Sequence, residues 1–179
     1  MQLPDFLFKD LRHTKTANLQ PGDVFLPDHR WSDRPLSIAC RFWNKQCAIA
    51  LGGSYPNTIY PLANFELEQN AFRVCQGSDL RVRLSGSAAG LHEAPAISKI
   101  GFDDQVAVIR CLIDERSGNV VPSRPGLINL ESWVEMKIAN AEEGMTWLAD
   151  WKFVLRDEFG EGVILGSGGE SRPTIGPKR

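Results

Sequence analysis

Apolar residues occupy every second position from Leu36 through Ile38 and Cys40 to Phe42, and again at Cys47, Ile49 and Leu51. Two alternating runs this close together read as one antiparallel hairpin. A two-residue turn at Asn44-Lys45 sets Phe42 opposite Cys47, Cys40 opposite Ile49 and Ile38 opposite Leu51. All seven apolar side chains then share one face. Side chains alternate with period two along a strand, so a slip of one residue would turn the whole set outward. This pattern makes the chain a sheet former before any motif is sought.

Other segments repeat the theme. Gln20-Pro21-Gly22-Asp23 is a turn signal, with proline presetting φ at the second position and glycine supplying positive φ at the third. Val24-Phe25-Leu26 follows as a short strand. A second hairpin fits Ala71 to Leu84 around a loop of Gly77-Ser78-Asp79. That register faces Phe72, Val74, Val82 and Leu84 inward. It gathers Arg73, Arg81 and Arg83 on the other side, with Arg73 opposite Arg83. Residues 85–105 lack a period and read as a long loop, either a functional excursion or the cover of a short helix near Leu91–Lys99. Val106 to Ile113 is apolar on both faces except at Arg110, the mark of a central strand.

The last third alternates again. Trp147, Ala149, Trp151, Phe153 and Leu155 share one face of a single strand. The segment before it supports two readings, a helix capped by Asn129 or a strand over Ser132–Asn140. A four-residue loop at Ala141–Gly144 favours the strand, because it sets Ile138 opposite Trp147 and Val134 opposite Trp151. Val163-Ile164-Leu165 forms a further strand, and residues 166–179 read as a flexible tail rich in Gly, Ser and Pro. No internal repeat or heptad is present. The expected fold is mainly β: an antiparallel β-sandwich or irregular barrel of about eight to ten strands, with few short helices. Residues 1–165 form one domain.

Composition sets limits on function. The 179 residues carry 20 basic and 22 acidic side chains, for a formal net charge of -2. Such a balance gives no global steering toward nucleic acid or an anionic membrane. No apolar run approaches the roughly 20 residues that a spanning helix needs. The first residues lack a basic stretch followed by a long apolar one, so no signal peptide is expected and a cytoplasmic setting is. Cys40, Cys47, Cys75 and Cys111 each lie in an apolar run without zinc spacing. In the expected register Cys40 and Cys47 are diagonal neighbours about 7–8 Å apart, beyond the usual disulfide reach. Free buried thiols are the simpler reading, while four cysteines also permit three disulfide connectivities.

Candidate sites are few. In the connection from Pro27 to Pro35, Asp28 adjoins His29, and Trp31 is suited to anchoring a partner or stacking on a flat ligand. Adjacent residues rarely aim at one target, so contact outweighs catalysis there. The face of Arg73, Arg81 and Arg83 places like charges together, which acidic neighbours, an anion or an acidic partner surface would offset. His13, His29 and His92 have no second ligand at helical spacing, and no phosphate loop or serine elbow occurs. The expectation is therefore no catalytic residue, no metal and no cofactor. The leading function is a non-enzymatic interaction or assembly protein, a structural subunit binding a protein partner or its own kind through Trp31, Arg73, Arg81 and Arg83 and the C-terminal tail. The alternatives are a ligand binder or enzyme with a pocket near residues 27–35 and 85–105, and an inhibitor acting by steric occlusion.

Overall fold

Thirteen strands are found in a computed structural model that describes residues 12–28, 36–52, 57–62, 67–76, 79–84, 100–102, 107–113, 126–136, 145–148, 151–156 and 162–168. The strands are β1 (Arg12–Lys15), β2 (Val24–Pro27), β3 (Ser37–Phe42), β4 (Lys45–Ala50), β5 (Thr58–Pro61), β6 (Asn70–Cys75) and β7 (Leu80–Leu84). They continue with β8 (Ile100–Phe102), β9 (Ala107–Ile113), β10 (Gly126–Asn129), β11 (Thr146–Leu148), β12 (Trp151–Arg156) and β13 (Gly162–Gly168). Ten form one sheet in the order β1-β6-β2-β3-β4-β5-β9-β8-β11, with β10 also paired to β9. The other three form a sheet in the order β13-β12-β7. All pairings are antiparallel except a short parallel one between β5 and β9. The fold is mainly β and antiparallel, as the alternation predicts. The count exceeds eight to ten because several strands are only three or four residues long.

The first hairpin forms, with one correction. Its turn is Trp43-Asn44, one residue earlier than expected, and the register moves by two. Cys40 therefore pairs with Cys47, Ile38 with Ile49, and Phe42 with Lys45. A two-residue shift keeps each side chain on its face, so Leu36, Ile38, Cys40, Phe42, Cys47, Ile49 and Leu51 all reach one core. The cause lies far away in sequence. The Glu135 carboxylate accepts the Trp43 N–H at 2.9 Å, a tie that local alternation does not encode. Trp43 and Asn44 take φ of 51° and 57°, the positive pair that a type I′ turn requires. On the opposite face, Ala39, Ala48 and Ala50 pack with Phe25 and Tyr60 in a second cluster. This hairpin is thus buried on both sides. Its polar exception, Ser37, is satisfied by a 2.7 Å bond with the Tyr60 hydroxyl.

The main core joins the two sheets. Trp151, Phe153 and Leu155 of β12 and Leu80 of β7 belong to the same apolar cluster as the hairpin. Trp151 and Phe153 meet edge to face at 4.7 Å, and Phe153 reaches Trp133 at 5.7 Å. Fully burying one such side chain is worth about 1.5–3 kcal/mol. β9 is the central strand its composition predicts: β8 and β10 both pair with it at Val108 and Ile109, and β5 pairs with it at Leu112 and Ile113. The Gln20–Asp23 turn also forms, with Gly22 at φ 94° and Asp23 N–H bonded to the Gln20 carbonyl at 3.0 Å.

Five expectations are corrected. The strands of the expected second hairpin exist, but β6 pairs with β1 and β2 while β7 pairs with β12. The two half-sets of apolar residues find better partners in separate sheets than in each other. Val134 bridges Arg41 and Glu135 bridges Ile128, so Val134 is not paired with Trp151. Trp147 instead lies opposite Gly101 in the large sheet, whereas Trp151 pairs with Leu84 and Gly168 in the small one. The single alternating run is therefore two strands in two layers. Finally, β8 occupies the end of the expected long loop, and β13 continues to Gly168, past the expected start of the tail. Residues 1–11, 85–99, 137–144 and 169–179 lie outside the described residues.

Candidate functional site

Two arginines from different sheets define the site. Arg73 sits in β6, where the register places Arg12 of β1 opposite it. Arg81 sits in β7 of the small sheet, opposite Val154. The two sheets meet so that Arg73 and Arg81 line one solvent-open groove of about 600 Å³. Gln20, Gln76, Asp23 and Glu131 add polar groups, and Leu80, Leu130 and Trp133 supply apolar ones. A neighbouring recess of about 460 Å³ shares Arg73 and Gln76 and adds Arg12 and Asp79.

The walls are tightly built. Asp23 is buried, and its Oδ2 accepts the Gln20 N–H at 2.9 Å and faces Arg73 Nη1 at 3.6 Å. Burial of a carboxylate is tolerated when it is paired and hydrogen-bonded in this way. The turn is fastened to β3 from both sides, Gly22 N–H to the Ala39 carbonyl at 2.7 Å and Ala39 N–H to the Asp23 carbonyl at 2.9 Å. Across the groove, Asn129 Oδ1 accepts the N–H groups of Glu131 and Ser132, each at 2.8 Å. Trp133 then takes φ 57°, a left-handed conformation that bulky residues seldom adopt. Its carbonyl accepts the Arg41 N–H at 2.9 Å, and its ring packs toward Phe153. The loop is thus held by both sheets.

The expected residues divide. Arg73 and Arg81 come together. Arg83 does not join them and lies opposite Lys152 in β12, not opposite Arg73. The like-charge opposition read from the sequence is replaced by two others, Arg12 with Arg73 and Arg83 with Lys152. Trp31 lies outside the described residues. Sequence reasoning missed Trp133 and Glu131, because only the fold carries the 130–133 turn to β7. It also passed over Trp43, which is 40% exposed at the hairpin tip. The adjacent Asn44, a turn residue, was the available signal.

The thiols are chemically quiet. Burial pushes Cys47 up from 9.0 to about 11 and Cys75 to about 12, with the Asp79 charge adding to the latter. Burial likewise raises Cys40 and Cys111. Cys40, Cys47 and Cys111 are buried and Cys75 is half-buried, and all four are free. A nucleophilic cysteine needs the opposite shift. Among the described residues no group of three or more His, Cys, Asp or Glu is arranged to hold a metal ion. No helix among them is long and apolar enough to cross a membrane.

Comparison of the chain with protein-family models, curated proteins and solved structures finds no match.

Proposed function

We propose that this chain is a non-enzymatic interaction and assembly protein, a structural subunit that engages a protein partner through the groove at the seam of its sheets. The observation that carries this reading is the convergence of Arg73 and Arg81, from separate sheets, on one groove that the largely buried Trp133 also borders. Arginine and tryptophan in a rigid, partly desolvated setting are the residue types that dominate protein interfaces. The protonated thiols count against cysteine catalysis, which leaves binding as the better use of the surface. A reducing, cytoplasmic setting belongs to the same proposal, supported by the four free cysteines.

Size-exclusion chromatography with light scattering, alone and after incubation with native lysate, tests the reading. A defined complex should form, and R73E/R81E should weaken it; R81E alone, which keeps the Arg73–Asp23 pair, should also weaken it while leaving the dichroism spectrum unchanged. A stable monomer with no recoverable partner overturns the proposal.

A further inference from the structure

Trp43 is an unusual side chain for its position. The tip of a type I′ hairpin favours Asn or Gly, which accept positive φ. Here a tryptophan holds φ 51° with 40% of its surface in water. Val134, 38% exposed, lies on the segment bridged to Arg41 at the same end of the hairpin. The tip is also held firmly. Trp43 N–H bonds Glu135 Oε2 at 2.9 Å, Glu135 N–H bonds the Arg41 carbonyl at 2.8 Å, and the Phe42 ring stands 5.0 Å from the indole. A large aromatic presented on a pinned turn loses little freedom on binding.

Resting on the assembly reading, we propose that the partner is a second copy of this chain, with Trp43 of one copy seated in the Arg73–Arg81 groove of the next. The groove's volume of about 600 Å³ lies in the range of sites that enclose a small aromatic body. Guanidinium groups attract the electron-rich face of an indole, and the narrow exposed edges of Leu80 and Trp133, otherwise buried in the core, border the same groove. Charge selects this occupant over a free anion. Asp23 and Glu131 line the same groove and would repel a phosphate or carboxylate. A neutral ring meets no such penalty. Trp43 does not line the groove of its own copy, so the contact is made between molecules. Tip and groove are different patches. Reciprocal exchange about a two-fold axis gives an isologous dimer, whereas head-to-tail use of the same two patches runs on as a ring or filament.

Sedimentation velocity of the full chain over rising concentration tests this, with W43N, R73A/R81A and an equimolar mixture of the two variants. W43N keeps a turn-compatible residue, and a matching dichroism spectrum with a cooperative melt guards against misfolding. The wild type should self-associate. Each variant alone should need at least about tenfold higher concentration, as expected for loss of an interface anchor. The mixture should recover association, because one variant supplies the groove and the other the tryptophan. A wild type that stays monomeric, or a W43N that associates as the wild type does, overturns the inference. If that monomer still forms a complex with another protein that R73E/R81E weakens, the assembly reading survives alone. If it forms none, both fall.

Discussion

A thiol inside a sheet is a sensor of its own burial. Cys47 pairs across the hairpin with Cys40, and its Sγ donates to the Phe42 carbonyl at 3.8 Å. Below pH 9.0 the folded and unfolded chains both keep the Cys47 proton, so this group leaves stability independent of pH. Between 9.0 and about 11 the unfolded chain ionises first, because burial has raised the native value. The unfolding free energy then falls with rising pH, by about 1.4 kcal/mol per pH unit for each fully displaced thiol. Urea denaturation from about pH 8 to about pH 10.5 should show this decline, with a shallower slope in Cys47→Ala. A flat wild-type profile would contradict the buried setting. Trp43 gives a second residue-scale prediction. Left-handed backbone costs a non-glycine residue about 1–2 kcal/mol, and asparagine tolerates it better. Trp43→Asn should raise the urea midpoint slightly, a gain of up to about 1 kcal/mol, even as it removes the proposed contact. A clear loss of stability would show that the indole serves the fold instead.

Strands were more legible than their partners. The alternation from Leu36 to Leu51 identified both arms of the hairpin and the buried face, since a two-residue change of register preserves parity. It missed the turn position because Glu135, distant in sequence, holds the tip. β6 and β7 were visible as alternating runs, yet their assignment to separate sheets was not. Any two strands with suitable spacing satisfy a local hairpin rule, and only the competition among all thirteen decides pairing. The run from Trp147 to Leu155 hid a change of layer for the same reason. Two glycines record how closely the elements approach. A Cβ at Gly101 would sit 2.8 Å from the Trp147 ring, and one at Gly126 would sit 2.8 Å from Ile59 and Phe42. Gly101→Ala and Gly126→Ala should each destabilise by about 1–3 kcal/mol, the usual cost of overpacking. Thermal melts read this directly, and unchanged midpoints would mean that those contacts are looser than described.

At the scale of the whole molecule, one apolar cluster draws residues from both sheets, and the groove is lined by residues of both. Phe153 is fully buried at that junction. Phe153→Ala should cost about 3–5 kcal/mol and loosen the small sheet, carrying Arg81 away from Arg73. The site was half legible: Arg73 and Arg81 stood out as charges on strands, but their convergence depends on the stacking of sheets. Arg83 illustrates the limit, since two residues along β7 it faces Lys152 instead. The central claim is that Arg73 and Arg81 act together on one bound surface. A double-mutant cycle over Arg73→Ala, Arg81→Ala and the pair, read by the association constant in sedimentation equilibrium, measures this directly. Residues sharing a partner depart from additivity by at least about 0.5 kcal/mol. Such coupling is the predicted result, and strictly additive losses, or no loss at all, would contradict the account.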